Sequence, residues 1–232
     1  MPVHVFGFPC DVEAIDALAK KHGLPVIYDA AHAFGVQYKG KSLFSYGDIS
    51  IASFHATKLF HTIEGGGIVS ASTQVHDKIE LMKRFGHDYD DHMMLGINAK
   101  ASEFQAAMGL CNLRHVDENI AKRKKVFEQY DALLKPALYR PKRDNPDLTY
   151  NYAYYPVVLE SERALLDTME RLAEHKIFPR RYFYPSLNQL PYITTTNPCP
   201  NSEDISRRIL CLPLYGDLEE SVIAKVAEVL TT

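Results

Sequence analysis

Apolar residues at Val12, Ile15, Leu18 and Ala19 recur at helical spacing behind Asp11, a good N-cap, and ahead of Gly23, a good helix stop. The pattern predicts a helix between them. Short apolar runs flank it: Val3–Phe6 before, and Pro25–Asp29 after, the second ending on a carboxylate. Two further runs, Asp48–Phe54 and Gly66–Ala71, also have strand character. From Ser102 to about Leu134 the pattern is helical and long, with Phe104, Ala107, Met108 and Cys111 on one face. Pro136, Pro141 and Pro146 break it and mark a boundary. Beyond them, Tyr152–Leu159 predicts a strand, and Glu162–His175 and Leu218–Leu230 predict amphipathic helices. Strands alternating with helices imply an α/β fold with a mostly parallel sheet over residues 1–120, followed by a smaller α+β domain over 121–232.

Composition narrows the function classes. The chain has 232 residues, 46% hydrophobic and 24% charged, a globular balance. Lys and Arg number 26 against 29 acidic residues, so the net charge is -3 and no basic excess exists to neutralise a phosphate backbone. Nucleic acid is thereby excluded as the main partner. The run Lys122-Arg123-Lys124-Lys125 is expected to be a solvated helix face. No apolar run approaches the roughly 18 residues of a membrane helix, and the first residues lack the build of a signal peptide. Cys10, Cys111, Cys199 and Cys211 are far apart, with no CxxC pair. Neither a zinc site nor a disulfide framework is expected, and a reducing cytoplasm is the expected compartment.

Candidate chemistry gathers at the strand ends, where ligands bind in parallel sheets. In Asp29-Ala30-Ala31-His32, a carboxylate closing an apolar run needs a cation or a donor opposite it. It either faces a protonated ring nitrogen or caps the next turn, and His32 is either part of a site or an ordinary polar turn residue. In Ser53-Phe54-His55-Ala56-Thr57-Lys58, a lysine beside an apolar strand end can lose charge by desolvation and become a nucleophile toward a carbonyl, or it can be a surface lysine. Ser53 and Thr57 bind a phosphate or cap a turn. The run Gly65-Gly66-Gly67 allows close backbone approach or positive φ. Gly96-Ile97-Asn98 precedes a helix start.

Together these segments, with His4-Val5-Phe6-Gly7, Cys10-Asp11-Val12, Glu64-Gly65-Gly66, Glu103-Phe104-Gln105-Ala106-Ala107, Leu113 and Leu212-Pro213-Leu214-Tyr215, resemble the DegT/DnrJ/EryC1/StrS sugar aminotransferases over essentially the whole chain. The resemblance implies the aspartate aminotransferase fold (fold type I) and pyridoxal 5'-phosphate as cofactor. Lys58 then corresponds to the lysine that bonds the cofactor and moves the proton. Asp29 corresponds to the carboxylate on the pyridine nitrogen, His32 to the residue near the phenolate oxygen, and Ser53 to a phosphate-binding hydroxyl. Asn98 corresponds to a residue reaching the cofactor phosphate of a neighbouring subunit, which implies a homodimer. Arg180, Arg181, Tyr182 and Tyr184 fall in the segment near the nucleotide-sugar site.

The resemblance further implies transfer of an amino group from glutamate to a nucleotide-linked keto sugar. Lys58, in place of the histidine of related dehydratases, favours transamination. Glu64-Gly65-Gly66 resembles enzymes that aminate C4, which makes a dTDP-4-keto-6-deoxyhexose the expected substrate. The resemblance implies that relatives carry a further N-terminal segment, roughly the first third of their chain, ahead of Val3, including a phosphate-gripping turn. The alternative expectation is therefore a non-catalytic remnant, or a half completed by a separate N-terminal chain.

Overall fold

The computed structural model describes residues 1–134, 138–141, 145–194 and 197–231, so Pro136 lies outside the described residues. The chain forms two compact units. The first holds residues 1–118 and 145–151, the second residues 119–144 and 152–232. Residues 145–151, expected in the second domain, pack with the first unit.

In the first unit, helix α1 (Val12–His22) forms as its sequence dictates. The Asp11 side chain accepts from the Ala14 N–H, and Gly23 ends the helix at φ 61. Val12 packs with Val26 and Tyr28, with Ile15 and Ala19 beside them. Leu18, expected on the same face, is 59% exposed because its position falls at the edge of that stripe. Strand β1 (Ile27–Asp29) follows, then the short β2 (Gln37–Tyr38) and β3 (Lys41–Ser42), then β4 (Ile49–Ser53) and β5 (Gly66–Ser70). The main sheet has the order β1-β4-β5. Strands β1 and β4 are parallel, with Asp29 opposite Ile51.

Two expectations are corrected here. Strand β5 runs antiparallel to β4, with Gly66 opposite Ser53, because the Phe54–Gly65 connection holds no crossover helix. The triple glycine serves close approach: a Cβ on Gly66 would lie 2.7 Å from the Ala52 carbonyl oxygen. Val3–Phe6, expected as a strand, pairs only through Val3 with Asp29. It then coils into a 3-10 turn, Val5–Gly7, with Phe6 at φ 56.

Helix α2 (Thr73–Lys83), the β6 (His87–Asp88) and β7 (Asp91–His92) hairpin, and helix α3 (Glu103–Leu113) complete most of this unit. A capping box between Ser102 and Gln105 starts α3. The long helix expected from Ser102 breaks after α3, where the His115 N–H turns back to Asn112, and resumes as α4 (Val116–Leu133). The expected apolar face of α3 is not its buried one. Phe104 is 86% exposed, whereas Gly109 is buried, with Thr62 and Phe60 close by. Strand β8 (Leu148–Thr149) joins β2.

In the second unit, β9 (Tyr155–Val158) and β10 (Ile209–Leu212) form a fully buried antiparallel pair. Helices α5 (Glu162–Glu174), α6 (Pro200–Arg208) and α7 (Glu220–Thr231) accompany it. Leu165 and Leu172 of α5 and Ile223 and Val226 of α7 are buried. One member of the basic run departs from a solvated face: Arg123 donates to the carbonyls of Leu214 (2.9 Å) and Ala153 (3.3 Å). Burial pulls its pKa down.

Candidate active site

Asp29 ends β1, and Lys58 lies in the connection that leaves the carboxyl end of the neighbouring β4. The Asp29 Oδ1 accepts from the Ala31 N–H at 3.0 Å, so the turn-capping geometry is realised with one carboxylate oxygen. Lys58 is half-buried. Its pKa is lowered by burial, and the Asp29 carboxylate opposes that shift. The lysine feels the carboxylate, yet no ion pair joins the two among the described residues.

The loop carrying Lys58 is braced from within. The Lys58 N–H donates to the His55 carbonyl at 2.9 Å. The His55 ring meets the Thr57 hydroxyl at 2.8 Å and Glu64 at 3.5 Å. The Thr62 hydroxyl donates to the Glu64 carbonyl at 2.7 Å. Phe60 stacks on Phe34 at 4.4 Å and meets the edge of Phe54 at 5.0 Å, an apolar floor beside the lysine turn. Ser53, half-buried at the end of β4, accepts from the His55 N–H at 3.4 Å.

His32 is 8% exposed. Its Nδ1 accepts from the Phe6 N–H at 3.0 Å. Its pKa is pulled to about 4, by burial first and by the Lys58 charge second, with Asp29 opposing. The structure thus brings Asp29, His32 and Lys58 into one electrostatic neighbourhood.

Asn98 makes its contacts elsewhere. It is exposed, forms a bridge with Arg84, and accepts from Lys100 Nζ at 3.1 Å. In the second unit, Arg181 is engaged within the chain. It pairs with Glu162, donates to the Arg207 carbonyl at 3.1 Å, and lies 3.4 Å over the Tyr184 ring. Arg180 is exposed and donates to the Tyr182 hydroxyl at 2.5 Å.

Other residues of this neighbourhood carried no assigned role in the sequence. His4 is fully buried, stacks on Tyr28 at 4.5 Å, and accepts from the Cys10 N–H at 3.0 Å. Burial pulls its pKa to about 4, with Asp29 opposing. Tyr150 and Asn151 reach Phe6 and His32 across more than a hundred residues, a separation with no local signal.

Comparison with known proteins gives a consistent picture. The pattern of the DegT/DnrJ/EryC1/StrS aminotransferase family matches residues 1–231. The chain is 38% identical, over 233 residues, to a dTDP-4-amino-4,6-dideoxy-D-glucose transaminase of Shigella dysenteriae, covering 96% of this chain and 63% of that protein. It is 30% identical to a GDP-perosamine synthase of Escherichia coli O157:H7, covering 98% of this chain and 63% of that protein. The crystal structure of DesI in the presence of its TDP-sugar product matches with a TM-score of 0.89 at 33% identity, over 98% of this chain and 60% of that one. The chain spans about 63% of the length of these curated relatives. No helix among the described residues is long and apolar enough to cross a membrane.

Proposed function

Because the chain belongs to the DegT/DnrJ/EryC1/StrS aminotransferase family, a family that depends on pyridoxal 5'-phosphate, we propose that it serves the transfer of an amino group to a nucleotide-linked keto sugar. The single observation carrying this reading is the placement of Asp29 at the end of β1 and of Lys58 just beyond the end of the adjacent β4, a carboxylate acting on a half-buried amine. That donor set fits the cofactor. An anion suits a protonated ring nitrogen, an amine with a lowered pKa suits an aldehyde, and Ser53 offers a hydroxyl to the phosphate. When bound, the cofactor supplies an electron sink for the charge that develops as a C–H bond breaks.

The chain's own residues do the rest. Asp29 would hold the proton on the cofactor's ring nitrogen. Lys58 Nζ would provide the covalent attachment and, when free, would move the proton at the reacting carbon. His32 lies beside both, and Asn98, exposed, is available to a neighbouring subunit of a homodimer. The substrate we infer is a dTDP-4-keto-6-deoxyhexose, with glutamate as amino donor, in a reducing cytoplasm where the four free thiols persist. Its support is the transaminase named for the Shigella relative, together with Glu64-Gly65-Gly66.

The test is direct. The chain is titrated with the cofactor while its visible absorption is followed, then assayed with glutamate and dTDP-4-keto-6-deoxyglucose. The assay is run alone and with the remaining part of a relative supplied in trans. Bound, borohydride-fixable cofactor and amino-sugar formation support the reading. Absence of both under both conditions overturns it.

A further inference from the structure

His32 is held by residues far away in the chain. The Tyr150 hydroxyl donates to the Phe6 carbonyl at 2.8 Å, and the Phe6 N–H donates to His32 Nδ1 at 3.0 Å. The two bonds grip both sides of a residue at φ 56, ψ 13, where a bulky side chain settles only if its surroundings dictate it. The Asn151 Nδ2 donates to the carbonyls of His32 (3.0 Å) and Phe34 (2.8 Å), using both amide hydrogens on the backbone that carries the imidazole. Gly7 closes the space: a Cβ there would lie 2.9 Å from the His32 carbonyl oxygen and 3.3 Å from the Asn151 Oδ1. Phe6, His32, Tyr150 and Asn151 are all buried, and the Tyr150 ring stacks on Phe8 at 4.7 Å.

The chemical consequence follows from the donor inventory. A neutral imidazole has one acceptor and one donor nitrogen. A backbone N–H only donates, so Nδ1 is the acceptor and the proton sits on Nε2. Protonating Nδ1 means breaking that bond, in addition to charging a ring whose pKa burial and the Lys58 charge already lower.

We propose that Tyr150, acting through Phe6, and Asn151, holding the His32 and Phe34 carbonyls, are positioning residues that fix His32 as the neutral Nε2–H tautomer beside Asp29 and Lys58. Resting on the function proposed above, that tautomer offers a hydrogen-bond donor to an anionic ring oxygen of the cofactor. A free or protonated imidazole would rotate away or add a charge next to Lys58.

The experiment uses the full chain labelled with 15N at histidine. Long-range 1H–15N spectra report the protonation of each imidazole nitrogen, and His32→Gln assigns the signals. The expected wild-type result is a single tautomer with Nδ1 unprotonated and a midpoint near 4. In Tyr150→Phe, which keeps the ring on Phe8, the tautomers mix, while thermal unfolding stays cooperative. Asn151→Ala is expected to give the same spectral change; if it does not fold, Tyr150→Phe alone decides. Wild-type His32 signals in the folded variants overturn the proposal. Cofactor titration of Tyr150→Phe separates the two readings. A moved tautomer with unchanged cofactor affinity and absorption leaves the clamp standing and removes His32 from the cofactor site. A moved tautomer with weakened binding supports both.

Discussion

The Asp29 carboxylate raises the pKa of Lys58, yet burial of the lysine outweighs it and the net shift is downward. Desolvation disfavours the ammonium, while a nearby anion favours it. The first effect is a property of the loop between β4 and β5, the second of the end of β1. Their balance yields an amine that is easier to deprotonate than a surface lysine, without an ion pair that would block it.

That balance predicts a reactivity profile for the chain without cofactor. Lys58 should acylate with a midpoint below the ordinary 10.5 of lysine. Asp29→Asn removes the opposing charge, so the midpoint should fall further. Acetic anhydride labelling across pH, read by mass spectrometry at Lys58, checks both. A midpoint at or above the ordinary value in the wild type, or an upward move in the variant, contradicts the balance described.

Covalent attachment gives the next expectation. Lys58→Ala should abolish borohydride fixation of the cofactor, whereas Asp29→Asn should retain fixation and lose turnover. A missing charge partner of a few kcal/mol corresponds to several powers of ten at about 1.4 kcal/mol per tenfold. Peptide mapping of the reduced adduct and steady-state assays read the two effects. An adduct that persists without Lys58 places the attachment elsewhere.

Stability should fall on mild acidification. His4 and His32 are both pulled from 6.5 to about 4 by burial. The unfolded chain binds protons near 6.5, and the folded chain does not until about 4. Their contribution is therefore fully present above 6.5 and is lost as pH drops through that window. By pH 5 the loss is about 2 kcal/mol for each ring. Urea unfolding at pH 7.5 and pH 5 measures it, and His32→Gln should remove about half of this loss. An identical pH dependence in that variant would falsify the assignment of a buried neutral His32.

The parts legible in the sequence are those set by short-range chemistry. Asp11 and Gly23 bracket α1, and the apolar runs ending at Asp29 and Ser53 become adjacent strands whose ends carry the candidate site residues. Val3–Phe6 was not legible. Its alternation suits a strand, but the Phe6 conformation is bound to His32 and Tyr150, groups 26 and 144 residues away. The antiparallel course of β5 follows from a Phe54–Gly65 connection with no crossover helix, a feature no periodicity in the flanking runs reports. Arg123 turned inward because two carbonyls, not solvent, receive its guanidinium. Composition cannot distinguish that one residue from its three charged neighbours.

Arg180 and Arg181 are adjacent in sequence and should separate cleanly by experiment. The Arg181 side chain is 17% exposed, pairs with Glu162, donates to the Arg207 carbonyl, and covers the Tyr184 ring. Truncation leaves a partly buried carboxylate and a carbonyl without their donor, a cost of about 1–2 kcal/mol once the solvent reaching Glu162 is counted. Arg180 is exposed, anchored through backbone bonds to Cys211 at 3.1 and 2.8 Å, and its guanidinium donates to the Tyr182 hydroxyl. Its removal should change stability by no more than about 0.5 kcal/mol. A nucleotide diphosphate bound at this segment would instead lose a charge-assisted contact, about tenfold or more in affinity. Thermal unfolding and calorimetric titration with dTDP on Arg180→Ala and Arg181→Ala decide the matter. Arg181→Ala is expected to melt lower, and Arg180→Ala to melt normally and bind weakly. Full dTDP affinity in Arg180→Ala, or an unchanged melting temperature in Arg181→Ala, would reverse the roles given to the two arginines.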